Sequence, residues 1–161
     1  MNNNRLTESL WRSCVNSVPI FAIDMIIFSR KLGILMGRRI NNPAKGKLFV
    51  PGGRVYKNER IIDAFNRILL SETGLTCSFQ ETTSMGLYEH FYDVTYWSNK
   101  ECSTHYIIEA RLIEVDSHKI KVNLNEQHSN FTWISLEDMQ SNTIHSYSKI
   151  YLNKIKDLKF N

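Results

Sequence analysis

The chain is organised around residues 52–75, which read GGRVYKNERIIDAFNRILLSETGL. Two adjacent glycines follow the apolar run 48–51 and allow the backbone to turn sharply and to approach a ligand closely, so a strand is expected to end there. Apolar residues then recur at the spacing of one helix face, which predicts an amphipathic helix over residues 59–73 that ends at Gly74. A glycine turn joined to such a helix is typical of a site for phosphate and metal. The positions expected to face the core are Ile61, Ile62, Phe65, Ile68 and Leu69.

Glu72 is the unusual residue of this helix. At about 100° per residue it falls within about 20° of Phe65, near the centre of the apolar face. It also lies in the last turn, where the negative end of the helix dipole disfavours an acid by about 0.3–1 kcal/mol. A positive charge is expected to offset this cost, so the pattern predicts that Glu72 is a metal ligand. The alternative is that the last turn protrudes into solvent.

Part of this stretch falls at the spacing of the Nudix box, G-x5-E-x7-R-E-U-x-E-E-x-G-U, in which U is apolar. Ile68 and Ser71 stand where two acids of that box are expected. Members of the family use several helix carboxylates to hold metals for attack at phosphorus, so the departure predicts a platform that holds fewer metal ions. The matching residues within the box, 53–75, are Gly53, Glu59, Arg67, Glu72, Gly74 and Leu75.

Motifs outside the box resemble the GDP-mannose mannosyl hydrolase branch of the Nudix superfamily over residues 19–133. The resemblance implies an α+β Nudix fold, in which a mixed β-sheet is sandwiched between helices. It implies Mg²⁺-dependent hydrolysis of GDP-mannose, or of another GDP-hexose, to GDP and the free sugar, with one Mg²⁺ per active site in a homodimer. Water would attack the anomeric carbon with inversion, since no carboxylate is proposed as nucleophile. The motifs are RINNPAKG at 39–46, FVPGGRV at 49–55, HFYD at 90–93, THY at 104–106 and EQH at 126–128.

The same resemblance implies a set of metal ligands and a base. Oxygen atoms of Glu72, Gln127 and the Gly52 main-chain carbonyl would supply the protein's share of the oxygen shell that Mg²⁺ prefers. His128, beside Gln127, is the expected general base, because histidine titrates near neutral pH.

Three residues are expected to act on the reacting sugar and its leaving group. Asp24, an acid inside an apolar run, and His90 would support the positive charge that develops at the anomeric carbon. Arg39 would stabilise the departing diphosphate, because the guanidinium fork matches phosphate geometry. The alternative for Asp24 is a buried salt bridge with an arginine such as Arg39.

Further substrate-binding candidates are Arg54, Tyr106 and Arg67, which would neutralise or hydrogen-bond the diphosphate. Arg67 has a structural alternative, in which it pairs with Asp63 or Glu59. Glu59 is expected outside the metal shell, as a favourable charge near the helix start or as the partner of Arg67.

Two other functions remain open. A Nudix pyrophosphohydrolase would attack phosphorus and release GMP and mannose 1-phosphate, but Ile68 and Ser71 argue against it. A non-catalytic nucleotide-sugar sensor would bind without turnover, and the joint retention of Glu72, Gln127 and His128 argues against that function.

Composition indicates a single domain over residues 1–161, since 42% hydrophobic and 22% charged residues suffice for one sizeable core. The longest apolar run, 19–28, is too short to span a bilayer and the polar start has no signal-peptide pattern, so a cytoplasmic protein without a membrane partner is expected. The net charge of +4 is mild and carries no nucleic-acid-binding motif, so nucleic acid is not an expected partner. Three widely spaced cysteines predict free thiols.

The remaining periodicities predict a helix, then strands, the box helix, more strands and a closing helix. The first helix, 7–17, is expected to be a packing or dimer element whose inward-facing residues are Leu6, Leu10, Trp11, Cys14 and Val15. Polar loops at 93–102 and 116–130 are predicted to be active-site lids, and His118 and His145 are expected at the surface. Strands are expected at 19–28, 34–39, 48–51, 85–92, 104–115 and 131–134, and the closing helix at 145–158.

Overall fold

The structure is a computed structural model that describes residues 6–42, 44–95, 97, 103–116 and 128–160, without the side chains of 128–130, 139 and 158–160. Within these residues the helices are α1 (Glu8–Ser17), α2 (Ile61–Thr73) and α3 (Ser146–Phe160), and short 3-10 turns cover Phe79–Glu81 and Asp138–Gln140. The strands are β1 (Ile20–Ser29), β2 (Gly33–Arg39), β3 (Leu48–Phe49), β4 (Gly52–Arg54), β5 (Thr83–Tyr92), β6 (Thr104–Glu114) and β7 (His128–Ile134).

The strands form one mixed sheet in the order β3-β2-β1-β6-β5, with β4 paired to β1 and β7 paired to β2. β1 is central, which agrees with the burial of nearly all of its residues on both faces. One edge runs parallel to β6 from Ile20, opposite Tyr106, to Phe28, opposite Glu114. Two strands divide the other edge of β1 between them. β4 pairs with residues 22–24 of β1, and β2 pairs with residues 28–29.

Two core layers lie on opposite faces of this sheet. Because alternate strand residues point to opposite faces, β1 contributes to both layers. Ile23 and Met25 pack with α2, whereas Ile26 and Phe28 pack in the layer that contains α3. A mixed sheet between helices confirms the predicted α+β class. Asp24 is two residues from Ile26 along β1, so its side chain lies on the same face of the sheet, the one covered by α3.

The box helix has the predicted end. Gly74 adopts the left-handed conformation with φ 74°, and its N–H donates to the carbonyl of Leu70. The helix begins at Ile61, later than predicted, because Glu59 instead accepts a hydrogen bond from the N–H of Tyr56 at 2.9 Å. Ile61 is 44% exposed, so it does not belong to the core-facing set.

The glycine pair does not simply end a strand. β3 stops at Phe49, and Gly52 begins β4, which pairs with β1. A Cβ atom at Gly52 would lie 2.5 Å from Asp24 Oδ1 and 2.8 Å from the Ile23 carbonyl oxygen, so this position needs glycine because two backbones approach closely.

The predicted C-terminal boundary of the loop 116–130 is wrong. Residues 128–130 belong to β7, where His128 pairs with Arg39 of β2. The polar residues at 128–130 gave no strand pattern in the sequence. They can still form a strand, because the hydrogen bonds between strands are made by the backbone and do not require alternating apolar side chains. Residues 117–127 and most of the predicted lid 93–102 lie outside the described residues.

The first helix confirms the predicted inward set only in part. Val15 is buried as predicted, whereas Leu6 and Leu10 are 41% and 50% exposed. Cys14 and Cys77 are free thiols, while Cys102 lies outside the described part of the chain. None of the described helices has the length and apolar character needed to cross a bilayer.

Candidate active site

A cavity of about 740 Å³ opens beside the sheet where β1, β2, β4 and the end of α2 meet. Its walls also include residues of β5 and β6, so most elements of the sheet contribute to it. The cavity brings together the candidate residues that the structure describes with side chains, namely Asp24, Arg39, Gly52, Arg54, Arg67, Glu72, His90 and Tyr106.

Glu72 lies in this wall at the carboxyl end of α2 and is only 7% exposed. The alternative that the last turn protrudes into solvent is therefore wrong. Gly52 lines the same cavity, and so do Ile68 and Ser71, which replace two acids of the box. Among the described residues, no three His, Cys, Asp or Glu side chains converge as a metal site. The oxygen donors of Glu72 and Gly52 nevertheless suit a hard cation that takes the rest of its shell from water and a diphosphate.

Arg39 is the last residue of β2 and also lines the cavity. Its N–H donates to the Lys47 carbonyl at 3.0 Å and its own carbonyl accepts from the Gly46 N–H at 2.8 Å, which fixes the backbone. The guanidinium carbon lies 5.8 Å from the centre of the Phe49 ring. The Nε atom is buried and has no hydrogen-bond partner among the described residues. A buried cationic donor of this kind favours an anionic ligand.

Asp24 and His90 meet through a residue of α3. The Tyr151 hydroxyl donates to Asp24 Oδ2 at 2.8 Å and lies 3.2 Å from His90 Nε2. Burial raises the pKa of Asp24 to about 7, although the hydrogen bond from Tyr151 and the charge of Arg39 both lower it. Burial, together with the charge of the nearby His145, lowers the pKa of His90 to about 4. The hydrogen bond shown to Asp24 thus comes from Tyr151 rather than from Arg39.

Tyr106 lines the cavity together with the two arginine candidates, Arg39 and Arg54. Burial raises the pKa of its phenol, while the charges of Arg39 and Arg54 act in the opposite direction. Arg54 lies over the Trp11 ring at 4.0 Å and over the Tyr56 ring at 5.1 Å. These aromatic contacts hold its guanidinium at the cavity wall.

Arg67 has the structural contacts of the alternative prediction. Its Nε and Nη2 donate to the two carboxylate oxygens of Glu59 at 2.6 and 2.8 Å. Nη2 also donates to the Arg54 carbonyl at 2.9 Å, and the guanidinium lies 4.0 Å from the Tyr56 ring centre. The predicted pairing with Glu59 is confirmed, whereas Asp63 pairs with Arg60. Arg67 still lines the cavity.

The predicted base His128 and the predicted metal ligand Gln127 are described only in part or not at all. The backbone of His128 begins β7 directly opposite Arg39, so it enters the sheet beside the cavity. Its side chain is not described, and Gln127 and His118 lie outside the described residues.

The comparisons with known proteins define the class. The NUDIX domain family profile matches residues 19–154, so the chain belongs to the Nudix family. The low-salt glycan biosynthesis protein Agl8 of Haloferax volcanii is 31% identical over 151 residues, covering 94% of this chain and 91% of the relative. The MutT protein of Methanosarcina mazei Go1 shares the fold with a TM-score of 0.66 and 21% identity, covering 90% of this chain and 99% of that chain. The NUDIX domain of Shewanella oneidensis NrtR, complexed with ADP ribose, has a TM-score of 0.67 and 12% identity. The match covers 95% of this chain and 99% of that chain.

Aromatic residues of α3 also belong to this site, although no sequence pattern indicated them. Tyr147 stacks on His90 with ring centres 3.9 Å apart, and Tyr151 joins His90 to Asp24. Their spacing of four residues indicated only a packed helix face. His145, expected at the surface, is half-buried and accepts a hydrogen bond at Nδ1 from the Tyr147 N–H at 3.2 Å, so it caps the start of α3.

Proposed function

We propose that this protein hydrolyses a GDP-hexose, GDP-mannose in the first instance, to GDP and the free sugar by attack of water at the anomeric carbon with inversion. The observation that carries the proposal is the buried Nε of Arg39, which has no hydrogen-bond partner among the described residues and lies in the cavity wall. A diphosphate would satisfy this donor and the positive charge together. A volume of about 740 Å³ suits a ligand of nucleotide-sugar size.

Glu72 and the Gly52 carbonyl would hold one Mg²⁺, with Gln127 as a third ligand. Hard oxygen donors on one wall fit this ion, and the close approach of β4 to β1 at Gly52 leaves no room for a side chain there. When bound, Mg²⁺ supplies positive charge that offsets the negative charge of the diphosphate.

Attack at carbon is favoured over attack at phosphorus by the residues around Glu72. Ile68 and Ser71 line the cavity where further carboxylates of the box would stand. Asp24, which pairs with Gly52 and lines the same cavity, supplies a carboxylate that would stabilise an oxocarbenium-like sugar. Arg39, Arg54 and Tyr106 would bind the departing GDP.

His128 would deprotonate the attacking water. The backbone pairing of His128 with Arg39, a residue of the cavity wall, supports this role. Inversion requires the base to act on a water at the face of the sugar opposite the departing diphosphate. The expected effect of His128→Ala is a fall in turnover of about 10²- to 10⁴-fold, the usual contribution of general-base catalysis.

The substrate class and the oligomeric state are proposed from two observations, the similarity to the Haloferax protein and the exposed apolar residues around α1. The name of the Haloferax protein, which refers to glycan biosynthesis, supports a nucleotide-sugar substrate. We further propose that the protein is cytoplasmic and that it forms a homodimer. The exposed Leu6 before α1, Leu10 within it and Val18 after it offer apolar surface for a second copy. Light scattering of the purified protein would give one mass of twice the chain if this is correct, and the mass of a single chain if it is not.

The test is ³¹P NMR of GDP-mannose incubated with purified protein and Mg²⁺. We expect GDP as the phosphorus-containing product, without mannose 1-phosphate. Signals of GMP and mannose 1-phosphate would instead indicate a pyrophosphohydrolase, and an unchanged spectrum would indicate a binding module or another substrate. Glu72→Gln should abolish turnover with folding intact. Asp63→Asn is the matched control, because it removes a carboxylate from the same helix on its exposed side.

A further inference from the structure

Behind the cavity, one buried hydroxyl connects two of its walls. Tyr151 of α3 is 0% exposed, and its hydroxyl contacts Asp24 Oδ2 at 2.8 Å and His90 Nε2 at 3.2 Å. Asp24 belongs to β1 and His90 to β5, and both line the cavity. Tyr151 therefore fixes, from a third element, two side chains that the sheet alone leaves unconnected.

We infer that Tyr151 is a positioning residue, which holds the carboxylate of Asp24 and the ring of His90 in one arrangement toward the sugar. The inference rests on the proposed function, in which these two side chains support the positive charge at the anomeric carbon. Tyr151 itself touches no reacting atom in this account.

The hydroxyl also determines where the His90 proton lies. A tyrosine hydroxyl has one proton to donate. When Asp24 is ionised, that proton goes to its carboxylate, and the contact of 3.2 Å then requires His90 Nε2–H to donate to the Tyr151 oxygen. A neutral His90 ring in this arrangement carries its proton on Nε2 and its lone pair on Nδ1. Burial, which lowers the pKa of His90 to about 4, is consistent with a neutral ring.

A second tyrosine of α3 holds the face of the same ring. Tyr147 stacks on His90 with centres 3.9 Å apart and planes inclined by 10°. Its hydroxyl accepts from the Phe91 N–H at 2.7 Å and donates to the Phe91 carbonyl at 2.9 Å. The edge of the His90 ring is thus held by Tyr151 and its face by Tyr147, so α3 orients a residue of β5.

The competing explanation is that Tyr151 only fills the core. Its ring packs edge-to-face on Tyr88 at 5.1 Å, and Tyr151→Phe retains that ring while removing the hydroxyl. Tyr88→Phe is the matched control, since the Tyr88 hydroxyl donates to the Met85 carbonyl at 3.0 Å and is absent from the Asp24 and His90 contacts. The two variants remove the same atom from neighbouring rings.

The first readout is steady-state kinetics with GDP-mannose. Loss of a hydrogen bond to a charged group is expected to lower kcat of Tyr151→Phe by about 10- to 100-fold. KM should change by less than about threefold, because substrate contacts remain. Tyr88→Phe should keep the kcat of the wild type.

The second readout needs no substrate. Ring ¹H–¹⁵N correlation spectra, with the signals of His90 assigned through His90→Gln, should show a neutral ring protonated on Nε2 with a slowly exchanging proton. Tyr151→Phe should lose this protection, and Tyr88→Phe should retain it. A wild-type ring protonated on Nδ1, or unchanged protection in Tyr151→Phe, would overturn the inference. If GDP-mannose were not hydrolysed at all, the proposed function would fail, and the NMR result would still decide whether Tyr151 positions His90.

Discussion

The pair formed by Glu59 and Arg67 allows a quantitative test of whether Arg67 supports the fold or binds substrate. Replacing Glu59 by Gln removes the charge and weakens two short hydrogen bonds, of 2.6 and 2.8 Å. The Glu59 side chain is 13% exposed and that of Arg67 is 34% exposed, so solvent screens the pair only in part. A bidentate, partly buried pair contributes more than the surface average, about 1–2 kcal/mol.

We therefore expect Glu59→Gln to lower the free energy of unfolding by about 1–2 kcal/mol and Tm by about 2–8 °C. A double-mutant cycle with Arg67→Gln, measured by urea denaturation, should give a coupling of at least about 1 kcal/mol. The hydrogen bond from Arg67 lowers the pKa of Glu59 below its ordinary 4.5. The stabilisation is therefore complete above pH 4.5 and is lost as the pH falls through the lowered pKa. Coupling near zero, together with a raised KM in Arg67→Gln, would refute the structural role and assign Arg67 to substrate binding.

Other predictions concern the cavity walls. Arg39→Gln should lower kcat/KM for the nucleotide sugar by about 10- to 100-fold, as expected for loss of a charge-assisted hydrogen bond, and an unchanged value would remove Arg39 from the site. Gly52→Ala should destabilise the fold by about 1–3 kcal/mol in thermal or urea unfolding, because its Cβ would lie 2.5 Å from Asp24 Oδ1; wild-type stability would show that β4 can move away. The pKa of His90 should be about 4 by NMR titration, so stability should fall as the pH drops from 6.5 toward 4; a pKa near 6.5 would contradict the buried, neutral ring.

Features set by local chemistry were predicted well. The apolar run around Asp24 gave the central strand, and helical spacing placed Glu72 on the buried face of α2. Gly74 ended that helix because a residue without a Cβ adopts φ 74° readily. In each case the deciding residues are neighbours in sequence.

Features set by distant contacts were missed. Asp24 and Tyr151 are 127 positions apart, and no local pattern relates an acid in the first strand to a tyrosine in the last helix. β4 was missed for a similar reason, because its glycines gain their strand conformation by pairing with β1. The grouping of the candidate residues in one cavity had been expected from resemblance to a family rather than from spacing.

Hydrolysis of GDP-mannose in H₂¹⁸O decides whether water attacks carbon or phosphorus. We predict that ³¹P NMR will show GDP with both phosphorus signals free of the ¹⁸O isotope shift, because the new oxygen enters the sugar. Label on the β-phosphorus of GDP, on GMP or on mannose 1-phosphate would show attack at phosphorus and contradict the account.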